Sequence, residues 1–145
     1  MNCSYANTNK CKAQVSLEYL ILLAGFFSVL ALIIPQTIKL FEASVFALDA
    51  KNASAFSQEI SAAINELSIL EDGSIKSISF SPLLEWNISA QNNSIQIEVI
   101  NEKIAKNKVF SIQTNTDLFS FNKNFSSKSS IKLSKKEGKI LIENS

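Results

Sequence analysis

The chain has no histidine, and all 14 of its basic residues are lysine. The side chain that most often serves as general base or metal ligand near neutral pH is therefore absent. Its two cysteines, Cys3 and Cys11, both fall at the very start, so disulfides and thiolate metal sites are excluded for everything beyond them. Glycine is scarce as well, at Gly25, Gly73 and Gly138 only, which rules out a glycine-rich phosphate loop. Fourteen lysines against 13 acids give a net charge of +1 and no electrostatic basis for binding nucleic acid. These gaps remove the usual nucleophile, metal and nucleotide constellations. What remains is read as a non-enzymatic chain with no cofactor. Glu71 and Asp72 are the one adjacent carboxylate pair considered, and they read as solvated charge at a helix end. Trp86 alternates with Leu84 and Ile88 and so reads as core rather than as an exposed stacking platform.

What is present is concentrated between Lys10 and Pro35, KCKAQVSLEYLILLAGFFSVLALIIP. A basic leader meets a long apolar stretch that carries one carboxylate, Glu18. Carrying a charged side chain into lipid costs about 2.5–3.5 kcal/mol on insertion scales, so a Glu in that position implies a partner waiting for it.

Ala13, Gln14, Val15, Ser16, Leu17, Glu18, Tyr19 and Leu20 resemble the Q-x-S-x-E-Y-L pattern of the class III signal peptide of archaeal type IV pilin-like proteins. The resemblance covers about the first quarter of the chain. It implies cleavage between Ala13 and Gln14, just after Lys12, by a membrane aspartic peptidase of the prepilin-peptidase type. Gln14 becomes the new N-terminus and Glu18 the fifth residue of the processed chain. Gln14, Ser16, Glu18 and Tyr19 are then the assembly residues, the Gln14 α-amino group pairing with Glu18 of a neighbouring subunit. Pro35 matches a position where many such subunits carry a helix-bending proline. The family fold implied is α+β, a long N-terminal helix, transmembrane in its first half, packed on a C-terminal antiparallel β-sheet domain. Implied partners are further copies and other pilins, the membrane, the peptidase and the pilus assembly machinery. The implied location is the cell membrane, leader in the cytoplasm, and afterwards a surface filament. The departures from the bacterial pattern are Ala13 where Gly is usual and Gln14 where a methylated Phe is usual.

Other readings of this segment are an uncleaved signal anchor, a signal removed whole, and a lipoprotein. No A-x-A site follows the apolar stretch, which weighs against removal. Lysines on both sides of Cys11 weigh against lipid attachment. The anchor is the stronger rival, and it makes the chain a membrane-anchored surface binding or adhesion module that never assembles. Residues 19–34 are uncharged and fall slightly short of the roughly 20 needed to span a bilayer, a length reached with Gln36, Thr37 and Ile38. Lys10 and Lys12 hold the leader inside by the positive-inside tendency. Their loss on cleavage leaves 12 lysines against 13 acids.

Four segments follow from this reading: a cleaved leader over 1–13, an apolar helix over 14–35, an amphipathic continuation over 36–72, and an external β-domain over 73–145. In the third, Ile38, Phe41, Val45, Leu48, Phe56, Ile60, Ile64, Leu67 and Leu70 recur at helical spacing. Lys39, Glu42, Asp49, Lys51, Glu59 and Glu66 are assigned to the solvent side. The helix is expected to end at Glu71, with Gly73 beyond its end. A bend or local melting is expected at Pro35. Gly25 reads either as a weak point in the helix or as a site of close packing.

From Ser74 the period becomes two. Strands are expected over 75–81, 84–90, 95–99, 109–114, 118–122, 131–134 and 139–143, with a hairpin turn at Gln91, Asn92 and Asn93 and another at residues 135–138. Asn-x-Ser sequons stand at Asn52, Asn87, Asn92 and Asn124 and are N-glycosylation candidates on an exported domain. Asn92, at the expected hairpin tip, leads them. A fifth sequon at Asn2 lies in the leader and is expected to stay unmodified.

Overall fold

The chain folds as α+β, an N-terminal helix followed by a five-stranded sheet. A computed structural model describes the backbone over residues 6–144 and side chains from Leu17 onward. Asn2 and Cys3, and the side chains of Cys11, Lys12, Ala13, Gln14 and Ser16, lie outside the described residues. Contacts divide the chain into two compact units, with the boundary between Phe41 and Glu42.

Over its described residues the first unit is helical throughout. Helix α1 (Ala6–Ile69) begins upstream of Gln14 and runs through Pro35 without a break. Next to the proline, the Thr37 hydroxyl donates to the Ile33 carbonyl at 3.1 Å, and Ser28 donates likewise to Ala24 at 2.8 Å. A Cβ added at Gly25 would meet nothing within 4 Å, so no packing among the described residues explains that glycine.

The second unit holds the rest of α1 and strands β1 (Ile75–Phe80), β2 (Glu85–Asn101), β3 (Lys106–Phe125), β4 (Ser129–Lys136) and β5 (Lys139–Asn144). Their spatial order is β1-β4-β5-β3-β2. All pairings are antiparallel except one parallel bridge, Leu118 to Ile140, between β3 and β5. Alternation sends Ile78, Phe80, Trp86, Ile88, Ile95, Ile97, Val99, Ile131, Leu133, Ile140 and Ile142 to one face. There they form one core with Ala53, Phe56, Ile60, Ala63, Ile64 and Leu67 of the helix. Each fully buried Ile or Leu contributes about 1.5–3 kcal/mol through removal from water. Phe56, Phe80, Trp86 and Phe125 fill one end, Phe80 stacking on Trp86 at 5.6 Å and meeting Phe125 edge-on at 5.0 Å.

The helix end is fixed by Lys135, whose ammonium donates to the carbonyls of Ser68 (2.9 Å) and Leu70 (2.7 Å). Ser68 lies in the last turn and Leu70 directly follows it, where carbonyls have no partner within the helix. Gly73, at φ +94°, donates to the Lys135 carbonyl at 2.9 Å and carries the chain toward β1. Lys76 pairs with Glu66 across the helix–sheet boundary.

Five strands stand where seven were expected, because two expected breaks are interruptions inside continuous strands. Gln91, Asn92 and Asn93 are not a hairpin turn. They are an irregular stretch within β2, where the register to β3 shifts on either side of Asn92. Asn92 does take a left-handed backbone, φ +53°, as its short polar side chain allows, but it bulges rather than reverses the strand. Opposite the single residue Asn93, β3 carries four residues, 114–117. The buried Thr114 hydroxyl sits 3.1 Å from the Asn93 carbonyl and 2.9 Å from that of Thr116, which stabilises the irregularity in place of a turn. The actual reversal is a single 3-10 turn, Glu102–Ile104, capped by the Asn101 side chain, which accepts from Lys103 N at 3.1 Å. The expected turn between β4 and β5 is present at Glu137 and Gly138, both with positive φ as a two-residue hairpin requires.

Candidate functional site

Every side chain from Leu17 to Phe41 is exposed except Leu30, which is half-buried. Tyr19 is 71% and Leu32 74% exposed. An exposed apolar run of this extent far exceeds what a water-soluble surface carries and marks contact with lipid or with other protein. α1 is long and apolar enough to cross a membrane. Glu18 is exposed and is the one charged residue between Leu17 and Ile38.

In the second unit the covered helix face differs from the expected one. Leu48 and Leu70 are exposed and Val45 is half-buried, while Ile38 and Phe41 belong to the exposed first unit. The buried stripe runs through Asp49, Ala53, Phe56, Ile60, Ala63, Ile64 and Leu67. Asp49, expected to face solvent, is 0% exposed. Its Oδ1 accepts from Leu83 N at 3.0 Å, and its Oδ2 accepts from Leu84 N at 3.0 Å and from Trp86 Nε1 at 2.7 Å. Three neutral N–H groups thus satisfy the carboxylate, and the segment between β1 and β2 is tied to the helix. The sequence did hold a signal for this. Asp49 lies four residues before Ala53 and seven before Phe56, on the stripe itself, and residue type alone had placed it outside.

The sequons differ in surroundings. Asn52 is exposed on the helix, and Asn92 is exposed at the β2 bulge. Asn124 is exposed, but its amide donates to Glu85 Oε1 at 2.8 Å. Asn87 is half-buried, its Oδ1 is buried without a partner, and it stands directly opposite Asn124.

Among the described residues no group of His, Cys, Asp and Glu could hold a metal ion. Glu71 and Asp72 are exposed, and Asp72 accepts from Gly138 N at 3.3 Å. Trp86 is 1% exposed and lies in the core, as its alternation suggested. The exposed apolar helix is thus the feature that packing of the chain on itself leaves unexplained. No family model, curated protein or solved structure matches the chain.

Proposed function

We propose that the chain is the structural subunit of an archaeal type IV pilus-like surface filament. A prepilin-type peptidase cuts the leader between Ala13 and Gln14. The freed apolar helix leaves the bilayer for the filament core, and the β-domain is displayed outside. The observation that carries this reading is the uninterrupted exposure of apolar side chains over residues 17–41 with Glu18 as their lone charge before Lys39. Leu20, Ile21, Leu22, Phe26, Phe27, Val29 and Leu32 supply apolar area on all sides of the helix, more than one flat partner would cover. In lipid, that area keeps the subunit anchored. In a bundle of like helices, it supplies cohesion. Glu18 then sets axial register by meeting the Gln14 α-amino group of the next copy, since a carboxylate in an apolar core must be paired or hydrogen-bonded. On this reading the chain works by assembly and not by catalysis.

The deciding measurement is the N-terminal sequence and intact mass of the chain from sheared surface material and, separately, from membranes. A chain beginning at Gln14, free or cyclised, in the sheared fraction supports processing and export together. A chain still beginning at Met1, confined to membranes, overturns assembly and favours the anchored adhesion module.

A further inference from the structure

On the sheet face turned away from α1, the irregular middle of β2 and β3 opens a cleft of about 240 Å³. Its polar lining is Ser89, Gln91, Ser94 and Gln96 from β2 with Ser120 and Asn122 from β3. Ala90 and Phe121 also border it, but as a cross-strand pair they send their side chains to the opposite face, where Ala90 is buried and Phe121 packs on the core. No charged residue lines it. Hydroxyls and carboxamides each offer donor and acceptor capacity at neutral charge, so the cleft suits a ligand that is itself neutral and presents both. It is unsuited to ions, phosphates and acidic peptides, which need opposing charge. Its volume lies just below the 300–1,000 Å³ of pockets for drug-sized ligands, the size of one or two sugar rings.

Two further observations bear on this cleft. Three amides elsewhere on the sheet are engaged within the protein: Asn107 donates to Glu98 at 2.9 Å, Asn124 donates to Glu85, and Asn101 Oδ1 accepts from Lys103 N, whereas Asn87 Oδ1 and Asn101 Nδ2 are buried without a partner. In the cleft, Ser94 donates to the Gln91 carbonyl at 3.3 Å. Among the described residues, the side chains of Ser89, Gln91, Gln96, Ser120 and Asn122 make no hydrogen bond within the protein. The cleft also lies beside the bulge at Asn92, a local departure from regular pairing of the kind that re-aims side chains.

We propose that this cleft is a binding site for a neutral saccharide, its hydroxyls held by the Gln91, Gln96 and Asn122 amides. Two sources share that chemistry. One is a foreign glycan. The other is sugar carried on the chain itself, since Ser89 and Ser94 are the hydroxyl residues of the Asn87 and Asn92 sequons. The proposal does not rest on filament assembly and applies equally to an anchored subunit.

The test uses the full chain from a host without N-glycosylation, in a detergent lacking sugar headgroups. Saturation-transfer NMR and calorimetry are run with maltose, cellobiose, mannobiose and N,N′-diacetylchitobiose, and with digalacturonate as the acidic probe. At least one neutral disaccharide is expected to bind with Kd about 1 mM or tighter. Gln96→Ala combined with Asn122→Ala should weaken it by about tenfold or more, with Ser77→Ala on β1 without effect. Gln91→Ala, on the exposed bulge, is the second variant should the first lose its circular-dichroism signature. Absence of neutral-sugar binding, tighter binding of digalacturonate, or binding indifferent to these cleft variants would overturn the site. Repeating the titration on glycosylated chain separates the sources. Retained binding identifies a foreign glycan as ligand, whereas binding lost and then regained on chemical removal of the glycan identifies the chain's own sugar.

Discussion

Trp86 Nε1 donates to Asp49 Oδ2 at 2.7 Å, joining residues 37 apart in sequence through a buried carboxylate that two backbone N–H groups also share. Removing the carboxylate leaves three buried donors unsatisfied. Asp49→Ala is expected to lower unfolding free energy by about 3 kcal/mol, with Asp49→Asn costing less because one acceptor oxygen remains. Urea titration of the full chain in detergent, followed by Trp86 fluorescence, measures both. Equal midpoints for wild type and Asp49→Ala would show that the carboxylate does not hold the loop.

Gly138 follows Glu137 in the β4–β5 turn, at φ +73° and +54°. Gly138→Ala puts a Cβ on a left-handed backbone and is expected to cost about 1 kcal/mol, while Glu137→Gly relieves the same kind of strain and should be neutral or mildly stabilising. The same urea titration checks both. A stabilised Gly138→Ala would contradict the turn geometry.

On the filament reading, Glu18→Ala leaves leader cleavage largely intact and impairs filament formation. Immunoblots of membrane and sheared fractions read the two steps separately. Normal amounts of sheared filament would remove the pairing of Glu18 with the neighbouring N-terminus.

If the β-domain is exported to a glycosylating surface, the four sequons should not be equally occupied. Asn92 and Asn52 are open, Asn124 is engaged with Glu85, and Asn87 is half-buried opposite Asn124. Glycopeptide mass spectrometry is expected to rank Asn92 and Asn52 above Asn87. Full occupancy at Asn87 would mean that sugar is attached before β2 and β3 pair.

The parts legible in sequence were those governed by one local rule. The apolar run before Pro35, the helix ending near Gly73, the buried Trp86 and the Glu137-Gly138 turn each follow from periodicity or backbone preference alone. Three features depended on long-range partners instead. Asp49 looked solvent-facing until Leu83, Leu84 and Trp86 supplied donors from far along the chain. The polar run Gln91, Asn92 and Asn93 looked like a turn because both a turn and a bulge accept left-handed asparagine; which one forms is decided by Thr114 on the facing strand. Leu48 looked like core by spacing, yet the sheet covers a stripe displaced to Asp49 and Ala53. The polar cleft had no sequence signature, since its six polar residues lie on two strands and on either side of a register shift.

The strand order carries a consequence for how the domain reaches its fold. β5, last in sequence, is third of five in space, and β1 reaches the rest of the sheet only through β4. The long β2–β3 hairpin can close from neighbouring sequence as soon as it emerges. The β1–β4 pair spans some fifty residues and stays disconnected from that hairpin until β5 slots between them, so the core lacks an ordered place for Ile78, Phe80, Ile131, Leu133, Ile140 and Ile142 until then. If the leader stays inside and the C-terminal domain crosses a membrane, β1 first and β5 last, the domain would therefore behave as an all-or-none cargo, with half-translocated chains still soft, unzipped and open to proteolysis, and mechanical hardness arriving in one step with the final strand.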